Sequence, residues 1–129
     1  MAHVVALVLT LAVVAPAAAD MKILEPHDPT WERIFKISWQ MDEKKGRPIV
    51  EGYIVNASPY TIGQVQLLVD ALDEHGNIIA QKVSWLESDA LEPFSRRYFE
   101  VPAPAPAARY QVRVYSFDRI EGPPGRRFP

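Results

Sequence analysis

The densest run of potentially reactive side chains is Leu72-Asp73-Glu74-His75-Gly76-Asn77. Asp, Glu, His and Asn bind metals and move protons, so their spacing decides what they can do. An EF-hand-type calcium loop needs oxygen ligands at alternate positions ahead of its glycine. Counted from Asp70, the third position is Leu72, and the pattern fails. A zinc site needs about three protein ligands. Here His75 adjoins Glu74, and His27 lies far off in the lead-in. Apolar runs flank the stretch, with Gly76-Asn77 between them, which is what a short hairpin loop requires. The reading is a bend between two strands, with no metal.

Other chemistry is no better supplied. The carboxylate pairs Asp42/Glu43 and Asp73/Glu74 are neighbours in turns and point to water, whereas glycosidase pairs converge from different strands across a cleft. No Gly-x-Ser-x-Gly elbow and no Gly-rich phosphate loop occurs, so neither nucleophilic catalysis nor phosphate transfer is indicated. The chain reads as a non-enzyme without cofactors. Its tyrosines are the remaining lead. Tyr53, Tyr98 and Tyr115 fall out of phase with the core positions Ile54, Phe99 and Val114. They are expected to face outward, where Tyr is favoured at binding surfaces. Arg96, Arg97 and Arg113 either flank such a patch or simply solvate an outer face, and the candidate partner-binding residues are Tyr53, Tyr98, Arg113 and Tyr115. Trp39 is in phase with Phe35 and Ile37 and is expected in the core.

Period-two alternation positions these residues. FKISWQM (35–41) places Phe35, Ile37, Trp39 and Met41 on one face, which predicts a half-buried strand. The charged DEKKGRP forms a turn, and IVEGYIVN (49–56) a second strand, in which Gly52 marks a bulge or a close approach by another segment. QVQLLVDAL (64–72) is the expected central strand, followed by IIAQKVSW (78–85), RRYFEV (96–101) and RYQVRVYSFD (109–118). SDALEPFS is expected as a loop with room for one helical turn. PAPAPAA favours extended polyproline geometry and suits a crossing between sheets. Asp28 and Pro29 predict a helical turn in the lead-in. Six short strands, with a seventh from MKIL, predict an immunoglobulin-like antiparallel β-sandwich, or alternatively a small open β-barrel.

The ends and the composition set the context. Residues 1–19 contain no Asp, Glu, Lys or Arg, and the apolar run 4–14 leads to Pro16 and Ala17-Ala18-Ala19. That run has the length of a signal-peptide h-region and falls short of the roughly 20 residues that cross a bilayer. Cleavage after Ala19 is expected, leaving one domain over 20–118 and a disordered Pro/Gly-rich tail over 119–129. The chain has no cysteine and a net charge of −2. Disulfides, thiol chemistry and Cys-ligated metals are excluded. An exported domain without disulfides fits a bacterial periplasm or cell exterior. The basic residues are scattered, so nucleic acid is not an expected partner. Asn56-Ala57-Ser58 matches a glycosylation sequon by coincidence, with Pro59 directly after it.

VEGYIVNAS followed by GQVQLLVDALDEHGNII resembles the exported modules called FxLYD domains. Gly52, Ile54, Asn56 and Ser58 match the family's apolar-x-Gly-x-apolar-x-Asn-x-Ser strand, and Asp73 and Gly76 match its turn. Val69, Ala71 and Leu72 stand where the naming Phe, Leu and Tyr would be. FEVP and RYQVRVYSF have the character of its closing strands, so the likeness spans about residues 49–117. The resemblance implies a sandwich fold and an envelope or cell-surface location, and it implies no catalytic residues. The expected function is a non-catalytic binding or adaptor module for a protein of the envelope. The alternative is a carbohydrate-binding module that uses the surface tyrosines on a glycan.

Overall fold

The computed structural model describes residues 22–87 and 90–121. The expected signal segment and the tail beyond residue 121 lie outside them. Alternating side chains give strands because successive Cβ atoms point to opposite faces, so every second residue can be buried. β1 (Phe35–Lys44) and β2 (Arg47–Asn56) form a hairpin. Lys45 and Gly46 have φ of 53° and 76°; two consecutive positive values make a type I′ turn, whose twist matches that of the strands. Two residues therefore suffice for the bend. Asp42 to Lys44, expected in the turn, continue the ladder instead.

The chain continues through β3 (Thr61–Leu72), β4 (Ile78–Trp85), β5 (Ala90–Leu91), β6 (Arg96–Pro102) and β7 (Arg109–Glu121). Sheet A has the order β1-β2-β6. In sheet B, β3 is central: residues 62–63 pair with both β5 and β7, and residues 66–72 pair with both β4 and β7. All pairings are antiparallel, and the two sheets form a sandwich that does not close into a barrel. Pairing of β2 with β6 and of β3 with β7 is the connectivity of immunoglobulin-like sandwiches. Tyr110, at the start of β7, donates its OH to the Ala105 carbonyl at 2.6 Å. This is the tyrosine-corner arrangement of such folds, and it ties down the Pro/Ala-rich crossing from sheet A to sheet B.

Phe35, Val50, Ile54, Phe99 and Val101 from sheet A meet Val65, Leu67, Val69, Val112 and Val114 from sheet B in one core. Full burial of such a side chain contributes about 1.5–3 kcal/mol. The phase of β3 changes once, so that both Ile62 and Val65 point inward. A register shift between Gly63 and Gln66, with Gln64 at φ 52°, makes this possible.

Three further expectations change. Residues 22–24 are not a strand; the seventh is Ala90–Leu91, from the stretch read as a loop with a helical turn. β7 runs to Glu121, past the expected domain end at 118, because Thr61 and Ile62 offer partners for Glu121 and Arg119. Trp39 keeps the core phase but is 40% exposed, since β1 is an edge strand and the indole sits over the rim of β7, donating to the Tyr110 carbonyl at 3.0 Å. The lead-in does form a short 3-10 turn, Trp31–Arg33, with Asp28 accepting hydrogen bonds from the Thr30 amide and hydroxyl.

Candidate partner-binding face

The outward side of sheet A carries its residues in rows set by the register. Lys36, Val55 and Arg96 form one row; Ser38, Tyr53 and Tyr98 the next; Gln40, Glu51 and Glu100 the third. Gly52 lets β1 and β2 lie this close, because a Cβ there would collide with the Ser38 carbonyl. The close approach expected at this glycine is what occurs.

Tyr53 and Tyr98 stand side by side, with ring centroids 5.7 Å apart in an edge-to-face arrangement. Both are exposed, at 40% and 49%. The Arg96 guanidinium lies 4.1 Å from the Tyr53 ring centroid, a cation–π contact that fixes a long side chain flat on the sheet. The Tyr98 hydroxyl donates to Glu51 at 2.8 Å, and to Glu100 at 3.4 Å. The Glu51 hydrogen bond, burial and the charge of both carboxylates push the phenol up to about 12. Gln40 donates to the other Glu51 oxygen, while Lys44 pairs with Glu100 at 2.7 Å and has its own pKa raised by that contact. The two carboxylates converge on a phenol in the open face rather than on a cleft. A shallow depression of about 350 Å³ runs beside the tyrosines between Ser38, Gln40 and Glu51. At the head of β6, Phe94 is 67% exposed at the tip of a turn closed by the Ser95 amide on the Glu92 carbonyl.

Arg113 and Tyr115 are elsewhere. They lie on sheet B, in β7, and the N-terminal lead-in occupies them. Arg113 Nε donates to Asp70 at 2.9 Å, Nη2 sits 2.8 Å from the same oxygen, and Nη1 pairs with Glu25 at 3.0 Å. The Tyr115 ring packs 4.5 Å from that of His27, and the His27 amide donates to the Tyr115 carbonyl. Asp70 is fully buried on the outward side of sheet B, where Gln81 and Gln111 also donate to it. Gln81 in turn exchanges two hydrogen bonds with the Leu24 backbone, at 2.8 and 3.1 Å. Residues 24–27 thus form a strap, clamped through one buried carboxylate. Of the four residues singled out from sequence, the fold brings Tyr53 and Tyr98 together and gives Arg113 and Tyr115 this separate structural setting.

Two further places have structural occupants. Asp73 Oδ1 accepts the amides of His75 and Asn77 at 2.8 and 2.9 Å, so its carboxylate closes the hairpin loop, and these bonds lower its pKa. Asn56 is fully buried; its amide nitrogen donates to Tyr60, Leu91 and Glu92 carbonyls, and its oxygen accepts from Ser58. The Asn-x-Ser pair is a cap joining β2 to β5. Among the described residues, no group of three or more His, Asp or Glu side chains is arranged to hold a metal ion. Comparison with protein-family models, curated proteins and solved structures yields no match.

Proposed function

We propose that this protein is a non-catalytic binding module of the bacterial cell envelope, and that it contacts a protein partner through the outward face of sheet A. The observation that carries this reading is the Tyr53–Tyr98 pair with Arg96 laid against it, held on a rigid sheet and open to water. Tyr and Arg are enriched among interface hot spots, and the stacking on Tyr53 already restrains the Arg96 side chain. The uncharged, apolar N-terminal segment, the lack of cysteine and the FxLYD-like residues support export.

A glycan is the second reading, since tyrosines stack on sugars. Stacking needs an open ring face. Arg96 already lies over Tyr53, and the two rings are tilted by 67°, so they offer no common platform. A protein surface, which can pack against edges and pair with a guanidinium, fits better.

The test is affinity capture of the tagged chain, expressed from its own start in its native cell, beside a Tyr53→Ala/Tyr98→Ala variant. Recovery of a stoichiometric envelope protein with the native chain, and its loss with a variant of unchanged circular dichroism, is the expected result. N-terminal sequencing of the tagged chain itself should begin at Asp20. Equal recovery from both chains would sink the tyrosine face.

A further inference from the structure

The rows on sheet A are ordered by charge. On one side of the tyrosines lie Lys36 and Arg96; on the other lie Glu51 and Glu100. Among the described residues, Arg96 touches the Tyr53 ring and has no ion pair, and Glu51 accepts side-chain hydrogen bonds only from Gln40 and Tyr98. Lys44 neutralises Glu100, so the acidic row keeps one uncompensated carboxylate facing a basic row that keeps two cations. Adjacent rows on one face are about 7 Å apart, and adjacent strands about 4.8 Å. The face is therefore a small electric dipole with an aromatic band through its middle.

Such a pattern is complementary to itself. A two-fold axis lying in the plane of the face, along the Ser38–Tyr53–Tyr98 row, leaves the aromatic band opposite itself and exchanges the rows on either side. Arg96 of one copy then falls opposite Glu100 of the other, which Lys44 also contacts, with the uncompensated Glu51 one strand away, and the reverse contact forms at the same time. Lys36 falls opposite Gln40. Isologous contacts of this kind, in which residue i meets j and j meets i, are how most homodimers close. The axis direction matters: turned to run along the strands, it sets like row against like row.

We infer that the partner on this face is a second copy of the chain, joined sheet A to sheet A by reciprocal Arg96–Glu51/Glu100 contacts around the four tyrosines. This rests on the reading of sheet A as the contact face and names its occupant. Two strands of ten residues and one of seven offer roughly 430 Å² per copy, below the ~800 Å² per partner of a standard interface. The dimer is accordingly concentration-dependent and weakened by salt.

Sedimentation velocity of the processed full-length chain, from about 1 to 300 μM, tests it. The native chain should shift from monomer to dimer across that range at low salt. Arg96→Glu alone, and Glu51→Lys with Glu100→Lys, should each weaken self-association by about 100-fold or more, because like charges then face each other. An equimolar mixture of the two variants should dimerise again, since each mutant row meets an opposite one. That recovery in trans cannot come from misfolded chains. A native chain that stays monomeric throughout, or a dimer that both variants leave unchanged, overturns the inference. If a different envelope protein is captured in a Tyr53- and Tyr98-dependent way while the chain stays monomeric, the second copy is wrong and the contact face stands.

Discussion

Tyr98 shows how a single side chain records its surroundings. Its hydroxyl donates to Glu51 beside Glu100, and loss of the proton would set a phenolate against two carboxylates. The folded chain holds that proton above the usual value of 10.0, up to about 12. The contact's contribution to stability is therefore complete below pH 10 and is lost as pH rises through about 12. Following the Tyr98 ring carbon by NMR through an alkaline titration should give an inflection near the upper value. Glu51→Gln should bring it back toward the ordinary one; an inflection that Glu51→Gln does not move would place the cause elsewhere. At this scale the sequence was informative about direction but silent about company. Phase along a strand says whether a residue points in or out, and Tyr53 and Tyr98 do point out. It does not say which sheet the strand joins, so Arg113 and Tyr115, also out of phase with the core, could not be told apart from the pair on sheet A.

Among the elements, the β1–β2 ladder, the hairpin bend at Asp73 and the Pro/Ala-rich crossing were all legible, because each depends on local chemistry: alternation, an Asx-type loop with a glycine, a polyproline tract. The strap over sheet B was not. Asp70 sits at an outward position of β3, where a carboxylate looks like ordinary solvent-facing polarity. Only the packed chain reveals that residues 24–27 cover it. Trp39 misled for the complementary reason: its phase was correct, but an edge strand gives it no cover on one side. The strap carries its own prediction. Asp70 accepts from Gln81, Gln111 and Arg113, and removing one partner of a buried ion pair costs about 3–5 kcal/mol. Asp70→Ala should lower unfolding stability by about that amount in urea, and Asp70→Asn by less. In either variant the Leu24 amide should exchange with deuterium much faster than in the native chain. A native-like urea midpoint in Asp70→Ala would show that the strap is held by its apolar contacts alone.

For the whole molecule, short alternating strands without a long helix were enough to indicate an antiparallel sandwich, and the two sheets meet in one core. What composition could not give is the surface. Two opposed faces of similar polarity differ in what already covers them. Sheet B has its strap, whereas sheet A presents Tyr53, Tyr98 and Arg96 to water between a basic and an acidic row. That asymmetry is the basis for placing a partner on sheet A. Site-specific photo-crosslinking in living cells tests it most directly, with benzoylphenylalanine in place of Tyr53, Tyr98 or, on the opposite sheet, Tyr115. Protein adducts should form from positions 53 and 98 and be absent from position 115, whether the captured chain is a second copy or a different protein. Adducts from position 115 with none from 53 or 98 would contradict the assignment of the contact face.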